Sequence, residues 1–492
     1  MEEKDLKKKA FSGLAIRFAE SVSTQLITLL TSIILARHVL PEEYGLIALV
    51  MVIISILTAV VNSGLGSALI QKKGTDQKDY STVFWASLAI ALGLYIIIFF
   101  ASPFISEFFE QPLLKKILRI ICLCLFLIAI NSVQDAYVSN KLMFKLFFFA
   151  TLTSSIVSGT ISITMACTGY GVWALVVQHM SRTIVYTLTL SFLTKWMPSM
   201  VFCLERLKAL FSFGWKILAS GLLTSIYDEI RSFIIAGKYT NADLAFYTKG
   251  QQFPTIIANN MCTTINKVMF PIYSKYGSNI NVIRNVVRRS IKTATYALFP
   301  TMFGLMATSK SIIHVILGEK WLPSSKYLVI FCVYYLFKPI KVINQTSLKA
   351  QGKSGAYLIL NLFEKALGIS LILATMSKGV VSLALSAVTT YAITALLEQV
   401  VNGYYIKYTM IHLAADIGKN LAMSAGMFCI IVLLERVLDC SLYHLLAIQI
   451  IAGVIIYMAF SYLFKNESFY YIKDIVVGYI NKSKLKNGIG HQ

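Results

Sequence analysis

Residues 34–46 have the sequence ILARHVLPEEYGL, and residues 234–246 have the sequence IIAGKYTNADLAF. The two segments align at an offset of 200 residues, which places Glu43 opposite Asp243. Each segment follows an apolar run that is long enough to form a helix. The alignment therefore suggests that an early part of the chain is repeated later as a second copy.

A second pair of segments repeats in the same order. Residues 171–175, GVWAL, resemble residues 379–383, GVVSL, at an offset of 208 residues. Two matches at nearly the same offset predict two pseudo-symmetric halves of six helices each, both in the same orientation and related by an axis along the membrane normal. The predicted divisions are a first lobe at 1–210, a second lobe at 211–412, two additional transmembrane helices at 413–464 and a cytoplasmic basic tail at 465–492.

The composition predicts a membrane protein. Of the 492 residues, 57% are hydrophobic and only 14% are charged, and the mean hydropathy is +0.69. Soluble domains carry about 25% charged residues. A bilayer span needs roughly 20 mainly apolar residues, so the chain has room for about fourteen spans. This excludes a soluble enzyme, a secreted disulfide scaffold and a disordered protein.

The apolar runs predict an all-α polytopic membrane protein with about 14 transmembrane helices. Connections between the runs are short and leave no room for a catalytic domain outside the membrane. We therefore expect a transporter rather than an enzyme. The predicted helices lie near 11–36, 42–68, 81–102, 115–137, 145–167, 170–194, 213–236, 242–274, 291–317, 323–348, 355–376, 380–405, 416–436 and 442–464.

The net charge of +22 comes from 45 Lys and Arg residues against 23 Asp and Glu residues. Most of the loop cations lie on the side of the N-terminus, which predicts that both termini are cytoplasmic. The positive-inside rule explains this part of the charge, so we expect no nucleic-acid partner. An excess of basic over acidic residues also remains within the predicted spans.

The sequence lacks the motifs that are typical of ATP hydrolysis and of metal binding. No Gly-x4-Gly-Lys-Ser/Thr segment is present, which argues against ATP hydrolysis. The six histidines and eight cysteines show no metal-ligand spacing and no Cys-x-x-Cys pair. We therefore expect no metal and no bound cofactor. The remaining candidates for the energy source of transport are a coupling ion, Na⁺ or H⁺, and the membrane potential.

Charged residues at membrane depth cost about 2.5–3.5 kcal/mol each, so they usually face a protein interior or a wet cavity. A cleft with surplus Arg and Lys attracts an anion, and Arg binds phosphate through two N–H groups. We therefore predict a substrate that carries a phosphate or a diphosphate. The candidate cationic residues are Arg17, Arg231, Lys249, Lys267, Lys338 and Lys341.

Other polar residues in or beside the spans have different predicted roles. For Arg17 with Glu20, and for the cluster at 228–231, an ion pair at the interface remains an alternative to a cavity role. Candidates for sugar contact or gating are Glu20, Asp228, Glu229, Gln252 and Asn259. Candidates for structural or coupling ion pairs are Arg182 and Glu364. A basic amphipathic helix on anionic lipid headgroups is predicted from the spacing of Arg284, Arg288, Arg289 and Lys292.

Four segments carry a resemblance to a known family. They are residues 33–50 (IILARHVLPEEYGLIALV), 64–73 (GLGSALIQKK), 169–175 (GYGVWAL) and 212–216 (SFGWK). Together they resemble the Wzx-type flippases of O-antigen, capsule and teichuronic acid export. This family belongs to the multidrug/oligosaccharidyl-lipid/polysaccharide (MOP) exporter superfamily.

The resemblance implies two six-helix lobes around a central cationic cavity that opens to either side of the membrane in turn. It implies that the substrate is an undecaprenyl-diphosphate-linked oligosaccharide, moved from the inner to the outer leaflet of the bacterial plasma (inner) membrane. Related lipid II flippases use arginines on the first and eighth helices, for which Arg17 and Lys267 are the nearest counterparts. Polysaccharide polymerase and chain-length machinery are further candidate partners, beside anionic lipids.

Two other functions remain open at this stage. A cation-coupled multidrug or metabolite exporter with the same architecture would need an essential acid in the first lobe, where Glu20 and Asp135 lie within spans. A membrane scaffold for polysaccharide assembly enzymes would tolerate loss of the buried charges. The excess of buried positive charge favours the flippase over both.

Overall fold

The structure is a computed structural model of the chain. It describes the backbone of residues 3–62, 64–72, 74–275, 279–438 and 440–470. Side chains are described over the same ranges except at 3–19, 264–268, 270–272 and 274–275. The chain divides into two compact units, Met1–Ala245 and Phe246–Gln492. The predicted lobes at 1–210 and 211–412 stay a prediction, because they rest on sequence repetition and not on compactness.

The first unit is a bundle of α-helices. Helix α7 packs against both α1 and α8, and α9 packs along α2 and α3. The helices are α1 (Glu3–His38), α2 (Pro41–Asn62), α3 (Leu65–Gln71), α4 (Gln77–Phe108), α5 (Pro112–Ile121), α6 (Cys124–Asn140), α7 (Phe144–Cys167), α8 (Val172–Thr194) and α9 (Leu204–Lys238).

Helix α10 (Asn241–Lys275) begins in the first unit and continues into the second. In the second unit α11 packs along α17, and α16 packs against both α14 and α15. The helices are α11 (Ile280–Ala307), α12 (Ser309–Leu317), α13 (Ser324–Leu336), α14 (Lys338–Ala350), α15 (Ser354–Thr375), α16 (Val380–Ile406), α17 (Met410–Val437) and α18 (Leu442–Leu463), with a 3₁₀ turn at Glu319–Trp321.

The all-helical, multi-pass prediction is confirmed over the described residues. Each of the fourteen predicted ranges overlaps a helix or a pair of helices, and no strand occurs in the described part of the chain. Nine helices there are long and apolar enough to cross a membrane. The pair α11 and α12, bent by 73°, makes a tenth candidate. The count of fourteen spans and the cytoplasmic placement of both termini stay predictions.

The tenth predicted helix, at 323–348, is interrupted where the sequence contains a proline. Helix α13 ends at Leu336 and α14 begins at Lys338, with Pro339 in its first turn. Proline has no N–H to donate, and it disfavours helical geometry in the residue before it. The break therefore places Lys338 and Lys341 at the start of a new helix.

Both copies of the repeated segment form the same corner between two helices. The α1–α2 and α9–α10 connections each leave two residues outside the helices. In the first corner the Glu43 carboxylate accepts a hydrogen bond from the backbone N–H of Leu40 at 3.1 Å. In the second corner the Asp243 carboxylate accepts from the backbone N–H of Thr240 at 3.3 Å. The aligned acids thus cap equivalent turns.

Within the first unit the two corners also lie against each other. A Cβ atom added at Gly45 would lie 1.8 Å from the carbonyl oxygen of Asn241. A Cβ atom at Gly64, whose φ is +68°, would lie 2.2 Å from the carbonyl oxygen of Gly214. Glycine is required at both positions because backbone meets backbone there. The tight packing of α2 and α3 on the following helices depends on these contacts.

We expect Gly45→Ala to destabilise the protein by about 1–3 kcal/mol, since the added methyl group has no space. The matched control is Gly93→Ala in α4, where a Cβ atom would meet nothing within 4 Å. The measurement is the thermal unfolding midpoint of each variant in detergent. Equal midpoints for the two variants would contradict the packing described here.

Candidate substrate site and buried ion clusters

Arg231 is a buried cation near the end of α9. The residue is 8% exposed, and its Nε and Nη2 atoms have no hydrogen-bond partner in the described part of the chain. Its Cζ atom lies 5.8 Å from the ring centroid of Tyr227. Buried N–H groups that lack an acceptor are costly. The guanidinium is therefore suited to bind an anion.

The acids predicted beside Arg231 are less buried than Arg231 itself. Asp228 is exposed and Glu229 is half-buried on the preceding turn of α9. Glu20 of α1 is 9% exposed, and its carboxylate accepts a hydrogen bond from the Thr151 hydroxyl of α7 at 3.0 Å. The first unit therefore contains a buried cation, Arg231, together with acids that are buried, half-buried and exposed.

In the second unit the structure brings two predicted site residues together. The Lys338 ammonium donates a hydrogen bond to the side-chain oxygen of Asn259 and lies 5.0 Å from the ring centroid of Tyr335. Lys249 is 7% exposed, and its Nζ atom lies 5.8 Å from the ring centroid of Trp321. These cations rest on aromatic rings, which stabilise a positive charge away from water.

Four other predicted residues either lie outside the described side chains or give no support to their predicted role. The side chains of Arg17 and Lys267 lie outside the described residues. Gln252 is half-buried on α10. Arg182 is exposed on α8 and forms no ion pair with any described residue, so the predicted pairing is not seen for it.

Lys341 and Glu364 form an ion pair deep in the second unit. The Lys341 ammonium also lies 3.3 Å from the hydroxyl of Thr394 and 4.0 Å from Oε1 of Glu398. Sequence analysis placed Lys341 among the substrate cations. The structure instead gives it two carboxylate neighbours, so its charge is already compensated within the unit.

Glu398 is the residue that sequence analysis missed as part of a site. It is fully buried on α16, and Gln345 of α14 donates a hydrogen bond to its Oε1 atom at 2.9 Å. The sequence does contain a pattern that marks this face, because α16 carries polar residues at every fourth position. These residues are all buried and are Thr390, Thr394, Glu398 and Asn402.

A second ion cluster joins α11 to α17. Arg288 donates from Nε and Nη2 to the two carboxylate oxygens of Asp416 at 2.7 and 2.8 Å. Lys292 lies 3.2 Å from Asp416 and 2.9 Å from Glu467. The hydrogen bond from Lys292 holds the pKa of the Glu467 carboxyl, which lies beyond the last helix, below its ordinary value.

The predicted lipid-surface helix around these residues needs correction. Its apolar residues Ile283, Val287 and Ile291 are fully buried in a core that includes Tyr273 and Ile340. The amphipathic pattern therefore reflects packing on protein and not on lipid. Of the four basic residues, Arg288 and Lys292 are bound to carboxylates. Arg284 is half-buried and donates a hydrogen bond to the side chain of Asn281, and Arg289 is exposed.

Comparison with known proteins identifies the family and the fold of the chain. A sequence profile described as polysaccharide biosynthesis protein matches residues 34–326. The chain belongs to this polysaccharide biosynthesis family. This confirms the resemblance to polysaccharide export proteins that was based on residues 33–50 and the later motifs.

Two curated relatives give this family membership more detail. The chain is 26% identical over 289 residues to the succinoglycan biosynthesis transport protein ExoT of Rhizobium meliloti (strain 1021), with 58% of each chain covered. It is 27% identical over 309 residues to the teichuronic acid biosynthesis protein TuaB of Bacillus subtilis (strain 168), covering 60% of this chain and 62% of the relative. The chain thus matches about three fifths of the length of these relatives.

A solved structure shows the same fold over nearly the whole chain. The lipid II flippase MurJ, in an inward closed conformation, superimposes with a TM-score of 0.75 at 18% identity. The alignment covers 92% of this chain and 98% of MurJ. This member of the polysaccharide biosynthesis family is therefore a multi-pass membrane protein with a MurJ-like fold.

We expect Asp416→Ala to lower stability by about 3 kcal/mol, because two cations then lose their shared buried carboxylate. Glu467→Ala is the control from the same cluster. Its side chain is 79% exposed, so its loss should cost less than about 1 kcal/mol. Thermal unfolding midpoints in detergent compare the two variants. A larger loss in Glu467→Ala would contradict the assigned geometry.

Proposed function

We propose that this protein is a flippase that moves undecaprenyl-diphosphate-linked polysaccharide repeat units across the bacterial plasma membrane. The movement runs from the inner to the outer leaflet by alternating access, with both termini in the cytoplasm. The observation that carries this proposal is the Arg231 guanidinium, which is buried at membrane depth with two N–H donors unpaired among the described residues.

The position of those two donors matches the geometry of a phosphate. Nε–H and one Nη2–H of an arginine point in the same direction and form a two-pronged edge. Arg288 uses this edge to hold both oxygens of Asp416. The same edge of Arg231 has no protein acceptor in the described part of the chain. We assign it to a phosphate oxygen pair of the substrate diphosphate.

The other predicted residues have separate proposed roles within each unit. In the second unit Lys249 and Lys338 are candidate cations for an anionic substrate, and Asn259 offers an amide to a sugar hydroxyl. In the first unit Asp228 and Glu229 can accept hydrogen bonds from sugar hydroxyls or take part in gating. Lys341 leaves this set, because Glu364 and Glu398 already compensate its charge.

The family and the fold support the same proposal. The relatives ExoT and TuaB carry names from polysaccharide biosynthesis, and MurJ is named as a flippase of a lipid-linked precursor. A cation-coupled exporter of the same superfamily would depend on an acid in the first unit instead. A buried arginine edge without a protein acceptor favours an anionic substrate over a cationic drug.

The first test is lipid extraction from a deletion strain, followed by mass spectrometry of undecaprenyl-linked glycans. We expect a complete lipid-linked repeat unit to accumulate on the inner face, because synthesis continues while flipping stops. An unchanged lipid-linked pool with intact surface polysaccharide would overturn the flippase and favour the exporter.

The second test uses variants of Arg231 in that strain. Loss of a charge-assisted pair of hydrogen bonds costs about 1.5–3 kcal/mol, so Arg231→Ala should reduce export roughly 10- to 100-fold. Arg231→Lys should restore part of the activity, because it keeps the charge but not the two-pronged edge. Lys216→Ala, at an exposed position on the same helix, is the control. Normal export in Arg231→Ala at equal protein levels would refute the site.

A further inference from the structure

The cluster of Lys341, Glu364 and Glu398 contains more acid than base. It brings together one ammonium and two carboxylates from three different helices, α14, α15 and α16. If both carboxyl groups were ionised, one negative charge would remain uncompensated at membrane depth. A net charge in such a place costs several kcal/mol, and the usual response is protonation of one member.

The two carboxylates are held differently. Glu364 receives the Lys341 ammonium directly. Glu398 is 4.0 Å from that ammonium, and only its Oε1 atom accepts a hydrogen bond, from Gln345. Its Oε2 atom is buried and has no partner among the described residues. The Oε2 atom of Glu398 is therefore the position where a proton would remove the uncompensated charge.

The cluster also has one side that reaches the surface of the unit. The side chain of Glu364 is 16% exposed, whereas those of Lys341 and Glu398 are 6% and 1% exposed. Of the three groups, the carboxylate of Glu364 therefore lies nearest to the surface of the unit. The Lys341 ammonium lies between the two acids and can shift toward whichever carboxylate is ionised.

The groups that face Glu398 favour a proton over a metal cation. They are Lys341 and Lys349 from α14, Glu364 from α15 and, beside it on α16, Tyr391, which in turn faces Tyr335 of α13 and Cys262 of α10. Of the two Glu398 carboxylate oxygens, only Oε2 lacks a partner among the described residues, which is enough to bind a proton but gives too few ligands for a metal cation. A proton bound to the carboxyl oxygen leaves no separate charge.

We propose that the Lys341–Glu364–Glu398 cluster is a proton-binding site in which Glu398 takes up and releases one H⁺. Resting on the flippase function proposed above, we assign this proton to the coupling step that drives transport. Binding converts the cluster from a net charge of −1 to zero, and release restores it. The proton therefore changes the electrostatic balance that holds α14, α15 and α16 together.

The direct test is an infrared pH titration of the purified full-length protein in lipid nanodiscs. We expect a buried protonated carboxyl absorption that disappears in Glu398→Gln and persists in Asp416→Asn, whose acid is ionised by Arg288 and Lys292. In Lys341→Met, which removes the ammonium, we expect a second protonated carboxyl to appear. A band that is absent from the wild type, or retained in Glu398→Gln, would overturn the proton site.

The same preparation separates a proton site from a sodium site. Replacing Na⁺ by choline should leave the carboxyl absorption unchanged. A shift of this absorption with Na⁺ in the wild type, lost in Glu398→Gln, would instead assign the site to a metal cation and overturn the proposal.

The coupling is tested in proteoliposomes with a polyprenyl-diphosphate-linked disaccharide as the probe. An imposed pH gradient should raise flipping several-fold in the wild type, and Glu398→Gln should lose this response. A flipping rate that does not change with the pH gradient, in protein whose infrared titration is as expected, would overturn the coupling role. Absence of flipping in the wild type with that same titration would overturn the proposed function and leave the proton site standing.

Discussion

A charge at membrane depth must be compensated within the protein, and this constraint organises the buried ion pairs of the second unit. Water and counterions are absent there, so a charged side chain needs an opposite charge, a hydrogen-bond partner or an aromatic ring. Asp416 compensates the charge of Arg288, and Glu364 compensates the charge of Lys341. Two donor nitrogens of Arg231 have no acceptor among the described residues, which is why that position is informative about the substrate.

The backbone adds to the positive charge that must be compensated around α14. The break before Pro339 creates a new helix N-terminus inside the membrane-spanning segment, and such an end carries a partial positive charge. Lys338 and Lys341 lie in its first turn, where a cation is unfavourable. The carboxylates of Glu364 and Glu398 offset both the lysine charge and the helix end. The helix break at Pro339 therefore helps to explain why Glu364 and Glu398 both lie near Lys341.

The fold was more predictable from sequence than the site. Apolar runs mark helices because lipid admits few alternatives, so the ranges around 355–376 and 380–405 agree closely with α15 and α16. The ion clusters could not be predicted, because the sequence does not show which helix faces meet, and the Arg288–Asp416 pair joins two helices that are far apart along the chain. Asp416 and Glu398 were not among the predicted site residues. The basic segment near Arg288 was misjudged because an amphipathic pattern does not reveal whether its apolar face meets lipid or protein.

The contact between Gly45 and Asn241 has a consequence for the order of synthesis. Asn241 leaves the ribosome almost two hundred residues after Gly45, or roughly 10–40 s later at the usual rates of translation. During that interval the backbone at Gly45 lacks the partner that it contacts in the folded unit. The first unit therefore cannot close until the second copy of the repeated segment has been made. Duplication of the segment thus makes completion of the first unit depend on a segment at that unit's C-terminal end.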